Sequence, residues 1–138
     1  MTQRDGAPDA PSRSLSVEQV VGAQLDALRS EPQDGAAAGP GIQRAWRFAS
    51  PGNQAATGPV DRFAAMLLDL LYVGLLEHVA VALGPLVLDG DQARQEVLVV
   101  TLDDRTEGYT WVLGRQVDPP FTGCWMTEAV LRHPGPDA

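Results

Sequence analysis

The hydrophobic pattern of this chain changes its period near Glu77, and that change restricts the folds open to it. Before Glu77 the apolar residues recur at helical spacing, and after it they follow the spacing of strands. The connections after Glu77 are too short for crossovers, so neighbouring strands must be antiparallel. Helices followed by such a meander predict an α+β domain, with the helices packed on one face of a four-stranded sheet. The predicted strands are His78–Leu88, Gln92–Leu102, Gly108–Val117 and Phe121–Val130.

The first helix is predicted to begin at Ser16, because Gln19 three residues later completes a capping box. It should end near Pro32 and be followed by a Gly/Ala loop over residues 33–41. The apolar residues of this helix share one arc at 100° per residue: Val17, Val20, Val21, Leu25 and Leu28.

The segment Trp46–Phe63 joins two further helical patterns. A short second helix is expected to end near Ala49, and Ser50-Pro51-Gly52-Asn53 is typical of a type II turn. Gly58 and Pro59 then supply a cap and the first residue of a third helix, which runs to about Leu71. Asp69 falls on the polar arc of that helix, which indicates a surface carboxylate.

Composition limits the class of partner and the compartment. Ten basic residues, all arginine, against eighteen acidic ones give a net charge of −8, so binding to nucleic acid is disfavoured. The stretch 63–88 carries an Asp and a Glu-His pair, which argues against membrane insertion. Cys124 is the sole cysteine and suits a reducing, cytoplasmic location. We expect a disordered leader at 1–14, one domain at 15–131 and a frayed tail at 132–138.

Two polar residues stand out as candidates for chemistry. Gln24 projects from the apolar arc of the first helix, either as a hydrogen-bonded core amide or as a polar group lining a cavity under the sheet. His78 opens the first strand and could act as a general base, although a structural role is the simpler interpretation. One cysteine and two histidines cannot form the usual four-ligand zinc site, and we expect neither a metal nor a cofactor.

Aromatic residues could form the walls of a ligand pocket. Trp111 and Arg115 share one face of the third strand, and Trp125 lies on the fourth, where Phe121 and Gly123 should share its face. With Trp46 these residues could line a pocket in which Arg115 binds an anionic group. The alternative places the aromatic rows in the core and pairs Arg115 with a carboxylate such as Asp118.

Four segments together resemble a known family: Val21–Leu28, Trp46–Phe63, Trp111–Gln116 and Gly123–Thr127. The chain resembles, from about Leu15 to Val130, a domain-of-unknown-function family of bacteria and plants. That family is grouped with the nuclear transport factor two-like, or SnoaL-like, superfamily. The resemblance implies a cone-like fold in which a curved antiparallel sheet wraps helices around a conical pocket. It carries over no catalytic residues.

These features favour a cofactor-free module that binds a small apolar ligand or forms a homodimer through the sheet. The alternative is a lyase- or isomerase-type enzyme acting on a small hydrophobic substrate. It would use His78 as the base, with Gln24 and Arg115 polarising an oxygen. A third interpretation is a regulatory protein whose acidic surface binds a basic partner.

Overall fold

Among the residues that the structure describes, helices precede a four-stranded sheet, as the change of period predicts, but there are four α-helices where the sequence indicated three. The computed structural model describes residues 8–30, 39–69 and 72–133. Predictions for the loop at 31–38, for Leu70 and Leu71, and for residues 1–7 and 134–138 lie outside those ranges. The elements are α1 (Val17–Arg29), α2 (Pro40–Arg47), α3 (Pro51–Thr57), α4 (Val60–Leu67), a 3₁₀ turn (Val73–Leu75), β1 (His78–Asp89), β2 (Gln92–Thr101), β3 (Thr106–Arg115) and β4 (Trp125–Arg132).

The start of α1 is confirmed in detail. Ser16 accepts a hydrogen bond from the backbone N–H of Gln19 at 3.1 Å, and the Gln19 side chain accepts one from the backbone N–H of Ser16 at 2.8 Å. The reciprocal pair satisfies two of the N–H groups that a helix start leaves without partners. The five predicted apolar residues of α1 are all buried in the main hydrophobic core.

The predicted type II turn at Ser50–Asn53 is wrong, because these residues begin α3. The Ser50 hydroxyl caps the helix by accepting a bond from the Asn53 N–H at 3.2 Å, and Pro51 occupies the first turn. A proline with φ near −65° suits both a turn and a helix start, so the local signal was ambiguous. Every residue of α3 is exposed or half-buried.

The next boundary is also displaced. Pro59 is the residue before α4 rather than its first residue, and Gly58 ends α3 instead of capping α4. A Cβ added to Gly58 would lie 2.8 Å from a ring carbon of Trp46. Glycine therefore allows the backbone to pass close to the indole ring. Ala64 and Leu67 are the buried residues of α4, and Asp69 beyond its end is exposed, as predicted.

The sheet is the predicted antiparallel meander in the order β1-β2-β3-β4. Asp89 pairs with Gln92 across a two-residue turn in which Gly90 has a φ of 63°, the conformation that glycine adopts without strain. β4 begins at Trp125 instead of Phe121, since Asp118–Cys124 form a turn with Gly123 at a φ of 83°. The predicted row of Phe121, Gly123 and Trp125 on one strand face is therefore wrong.

The helices cover one face of the sheet. The residues of β2 and β3 that point to them alternate along each strand and are buried: Ala93, Gln95, Val97, Val99, Glu107, Tyr109, Trp111 and Leu113. The edge strand β1 differs, because almost all of it is exposed on both faces. Its apolar side chains include Val81 and Leu83, each 40% exposed, and Val87 and Leu88, each 59% exposed.

Part of the predicted leader packs on the domain. The Arg47 guanidinium donates to the backbone carbonyl of Asp9 at 3.0 Å, and Arg44 lies 3.5 Å from the Asp9 carboxylate. A second link joins Arg44 to Asp26 of α1 at 2.9 Å. Among the described residues, none of the helices has both the length and the apolar character needed to cross a membrane.

Candidate functional site

A partly enclosed cavity of about 230 Å³ lies between the helices and the sheet. Its lining consists of apolar side chains and of uncharged polar ones. Three of its buried lining residues, which are joined by side-chain hydrogen bonds, we call the floor of the cavity: Gln24, Trp111 and Thr127. The lining residues that are partly exposed mark the side on which the cavity opens, and we call four of them the mouth: Thr57, Phe63, Met66 and Tyr72.

The floor is organised by the side-chain amide of Gln24, which is 5% exposed. Its Nε2 donates to the backbone carbonyl of Ala45 at 3.1 Å, and its Oε1 accepts from Trp111 Nε1 at 2.8 Å. The Thr127 hydroxyl donates to the same Oε1. An indole N–H can only donate, so the amide oxygen must face Trp111 and the nitrogen must face Ala45. One side chain therefore links α1, α2, β3 and β4.

The other polar groups of the lining also bond to the protein. Asn53 Nδ2 donates to the carbonyl of Thr127 at 3.1 Å, and the Thr57 hydroxyl donates to the carbonyl of Asn53 at 2.9 Å. The Tyr72 hydroxyl donates to the carbonyl of Val130 at 3.1 Å. These bonds fix the polar atoms on the wall, so the remaining surface facing the cavity is largely apolar.

His78 does not line this cavity. It is 3% exposed, and its Nδ1 lies 2.9 Å from the carbonyl of Leu75, which requires that Nδ1 carry the hydrogen. The ring borders a separate groove between α1 and β1, together with Asp26 and Arg29. Burial lowers the pKa of His78 below its ordinary value, and the positive charge of Arg29 acts in the same direction.

Arg115 lies in neither the cavity nor the groove. Its guanidinium binds Asp91 through Nε at 2.9 Å and through Nη2 at 2.8 Å, so Asp91 of the β1–β2 turn is its partner and Asp118 is not. The guanidinium carbon also lies 5.2 Å from the ring centroid of Trp125, its neighbour across the strands. This ion pair and ring contact keep Arg115 and Trp125 at one end of the sheet.

Trp46 packs against the mouth residue Phe63 and does not line the cavity. Its ring centroid lies 5.1 Å from that of Phe63, and its backbone carbonyl accepts a bond from Gln54 Nε2 at 2.9 Å. Trp46 therefore supports a lining residue without being a lining residue itself. Of the predicted pocket residues, Gln24 and Trp111 reach the cavity, whereas Trp46, His78, Arg115 and Trp125 do not.

The lyase or isomerase mechanism requires Gln24, His78 and Arg115 at one site, and the structure separates them. Gln24 faces the cavity, His78 faces the groove beside β1, and Arg115 is paired with Asp91. The predicted catalytic arrangement is therefore absent from the described residues. Within those residues, no three His, Cys, Asp or Glu side chains come together in a group that could hold a metal ion.

Sequence reasoning missed a buried charged cluster next to the floor. Glu107, 2% exposed, accepts from the Tyr109 hydroxyl at 3.1 Å and forms ion pairs with Arg105 at 3.2 Å and Arg132 at 3.5 Å. Burial, together with the carboxylate of Glu107, raises the pKa of Tyr109. The strand alternation that places Tyr109 and Trp111 inside also places Glu107 inside, and this signal could have revealed the cluster.

Fold and site together define an α+β domain with helices on one face of an antiparallel sheet and an apolar cavity between them. The chain belongs to the family described as Domain of unknown function (DUF4864), whose profile matches residues 11–133. No curated protein and no solved structure matches the chain significantly.

Proposed function

We propose that residues 15–131 form a cofactor-free, cytoplasmic module that binds a small apolar molecule in the cavity above Gln24. The observation that supports this proposal is a partly enclosed space of about 230 Å³ whose wall is apolar or internally hydrogen-bonded. An apolar protein cavity of about 150 Å³ stays dry and binds benzene. A space half as large again suits a compact bicyclic molecule or a short chain.

We also propose that this family belongs to the nuclear transport factor two-like superfamily. Helices on one face of a four-stranded antiparallel sheet, with a cavity between the two layers, are the features that support the assignment. The assignment concerns fold, and it adds no catalytic residue to the site.

Calorimetric titration with the bicyclic hydrocarbon tetralin tests the binding proposal, together with native mass spectrometry of protein purified without it. We expect saturable binding, and a mass adduct that tetralin displaces. Ala129→Leu places a larger side chain in the half-buried wall and should weaken binding at least tenfold. Ala56→Leu on the exposed surface of α3 is the matched control and should leave binding unchanged. A folded protein that binds neither tetralin nor a purified ligand would refute the proposal.

Dimerisation through the sheet is the second candidate function, and β1 favours it. An exposed apolar edge strand normally carries charges that block pairing with another chain. The ten residues between His78 and Asp89 in β1 are uncharged, and several are apolar and exposed. We call the exposed apolar side chains of β1 between His78 and Asp89 the strip, and we propose that a second copy of the chain covers it.

Sedimentation velocity tests the dimer. Leu83→Lys puts a charge on the strip and should convert a dimer to monomers, whereas Leu68→Lys, at a side chain 50% exposed on the end of α4, should not. If the unmodified protein sediments as a monomer at micromolar and higher concentrations, the dimer proposal fails.

A further inference from the structure

Gln24 lines the cavity, and one hydrogen of its amide has no acceptor among the described residues. A glutamine side chain offers two acceptor positions on its oxygen and two hydrogens on its nitrogen. Trp111 and Thr127 occupy both acceptor positions, and the carbonyl of Ala45 takes one hydrogen. The second hydrogen of Nε2 has no acceptor among the residues that the structure describes. A buried donor without a partner is unfavourable, so the site gains from a ligand that supplies an acceptor.

We propose that the ligand is an uncharged molecule with an apolar body and a single acceptor group, such as a ketone, an ether or an ester, bound to this hydrogen of Gln24. The inference rests on the proposed function, because it specifies the ligand of the same cavity. The three bonds that Gln24 makes to the protein hold its amide in one orientation. The donor is thereby positioned before a ligand enters.

The charge of the ligand follows from the composition of the wall. The lining residues are apolar or uncharged, so a carboxylate or an ammonium group would lose its hydration without meeting an opposite charge. The hydroxyl groups of Thr57 and Tyr72 already donate to backbone carbonyls, which leaves them without a hydrogen for the ligand. Asn53 Nδ2 also keeps a second hydrogen, but Asn53 is half-buried and can reach solvent, whereas Gln24 is buried. Gln24 is therefore the donor that we assign to the acceptor group.

Three matched bicyclic probes test the assignment: the ketone 1-tetralone, the hydrocarbon tetralin and the anion 1-naphthoate. Calorimetry gives their affinities for the unmodified protein and for Gln24→Met, which keeps the side-chain length and removes the donor. We expect 1-tetralone and tetralin to bind, 1-naphthoate to bind at least tenfold more weakly than 1-tetralone, and the ratio of ketone to hydrocarbon affinity to fall at least tenfold in the variant. Using this ratio cancels any general weakening of the cavity.

The carbonyl stretch of bound 1-tetralone gives a second readout that does not depend on whether Gln24→Met folds. We expect the infrared band in the unmodified protein to lie below its position in an alkane, because a carbonyl that accepts a hydrogen bond vibrates at a lower frequency. Tyr72→Phe and Thr57→Val remove the two hydroxyl groups of the mouth and should leave the band where it is.

Each contrary outcome has a defined meaning. A band at the alkane frequency, an unchanged affinity ratio in Gln24→Met, or loss of the lowered band in Tyr72→Phe or Thr57→Val overturns the assignment of Gln24 as donor. Tight binding of 1-naphthoate overturns the uncharged class. Failure of both 1-tetralone and tetralin to bind the folded protein instead overturns the proposed binding function.

Discussion

Replacing Gln24 with methionine should destabilise the fold by about 2–3 kcal/mol, because the lost hydrogen bonds of the floor cost about 3 kcal/mol and removal of the unpaired second amide hydrogen offsets up to about 1 kcal/mol. The change removes the acceptor of the Trp111 N–H, a buried donor that cannot rotate away, at a cost of about 2 kcal/mol. Thr127 loses its acceptor too, but its hydroxyl can rotate, so we assign about 1 kcal/mol. The carbonyl of Ala45 still accepts from the N–H of Phe48 at 3.1 Å and adds little.

Urea unfolding followed by tryptophan fluorescence measures this loss, since the variant keeps every tryptophan. The slope of the free energy of unfolding against urea should stay constant while the midpoint falls. In a double-mutant cycle, Thr127→Val removes one partner in advance, and the two changes should couple by about 1 kcal/mol. Gln92→Leu, at an exposed amide of β2, is the control and should change stability by less than about 0.5 kcal/mol. A loss below about 1 kcal/mol in Gln24→Met would refute the role of the amide.

Three further predictions concern the rest of the fold. Ser50→Ala removes the cap of α3 and the 2.6 Å bond from the Ser50 hydroxyl to Glu128, and should lower the free energy of unfolding by about 1–2 kcal/mol in urea titration. Burial lowers the pKa of His78 in the folded protein, so the unfolded chain binds more protons below pH 6.5. The contribution of His78 to stability is therefore complete above that pH and is lost as the pH falls towards the folded pKa. The difference in the free energy of unfolding between the unmodified protein and His78→Asn, measured against pH, should show this loss. Gly74→Ala puts a Cβ against the Glu107 carboxylate, closer than non-bonded atoms approach, and should destabilise by about 1–3 kcal/mol, measured by thermal unfolding.

Each of these predictions has a control or an outcome that contradicts it. Gly52→Ala, within α3 and with open space around the added Cβ, should stabilise by about 0.5–1 kcal/mol, in contrast to Gly74→Ala. Asparagine can keep the hydrogen bond that His78 donates to Leu75 without titrating, so parallel stability curves for the two proteins would contradict the pH argument. An unchanged midpoint for Ser50→Ala would show that neither of its hydroxyl bonds contributes.

Local signals predicted much of the fold. The start of α1 was predictable because Ser16 and Gln19 are three residues apart, and the first hairpin because a short connection separates the strand patterns that end at Leu88 and begin at Gln92. The segment after Ser50 was misassigned because proline sets the same φ in a turn and in a helix. The residues after Pro51 decide between the two structures, and a cap bond to Asn53 cannot be inferred from composition.

The site was less predictable, because its contacts join residues far apart in the chain. Gln24 attracted attention as a polar residue in an apolar arc, yet its partners Trp111 and Thr127 lie 87 and 103 positions away. The spacing of His78 and Arg115 along their strands gave no information about which end of the sheet or which groove each would reach. Long-range packing decided that outcome.

The division of the cavity between floor and mouth has a consequence for how this family can diversify. The floor residues are held in place by hydrogen bonds that the fold itself requires. Met66 of the mouth is 36% exposed and contributes less to the core than Phe63 and Tyr72, which pack against that core. Substitutions at Met66 can therefore reshape the entrance at little cost in stability. Under the binding function that we propose, relatives that differ there and keep the floor would take up different molecules on an unchanged scaffold, so new ligand preferences could arise without refolding the domain.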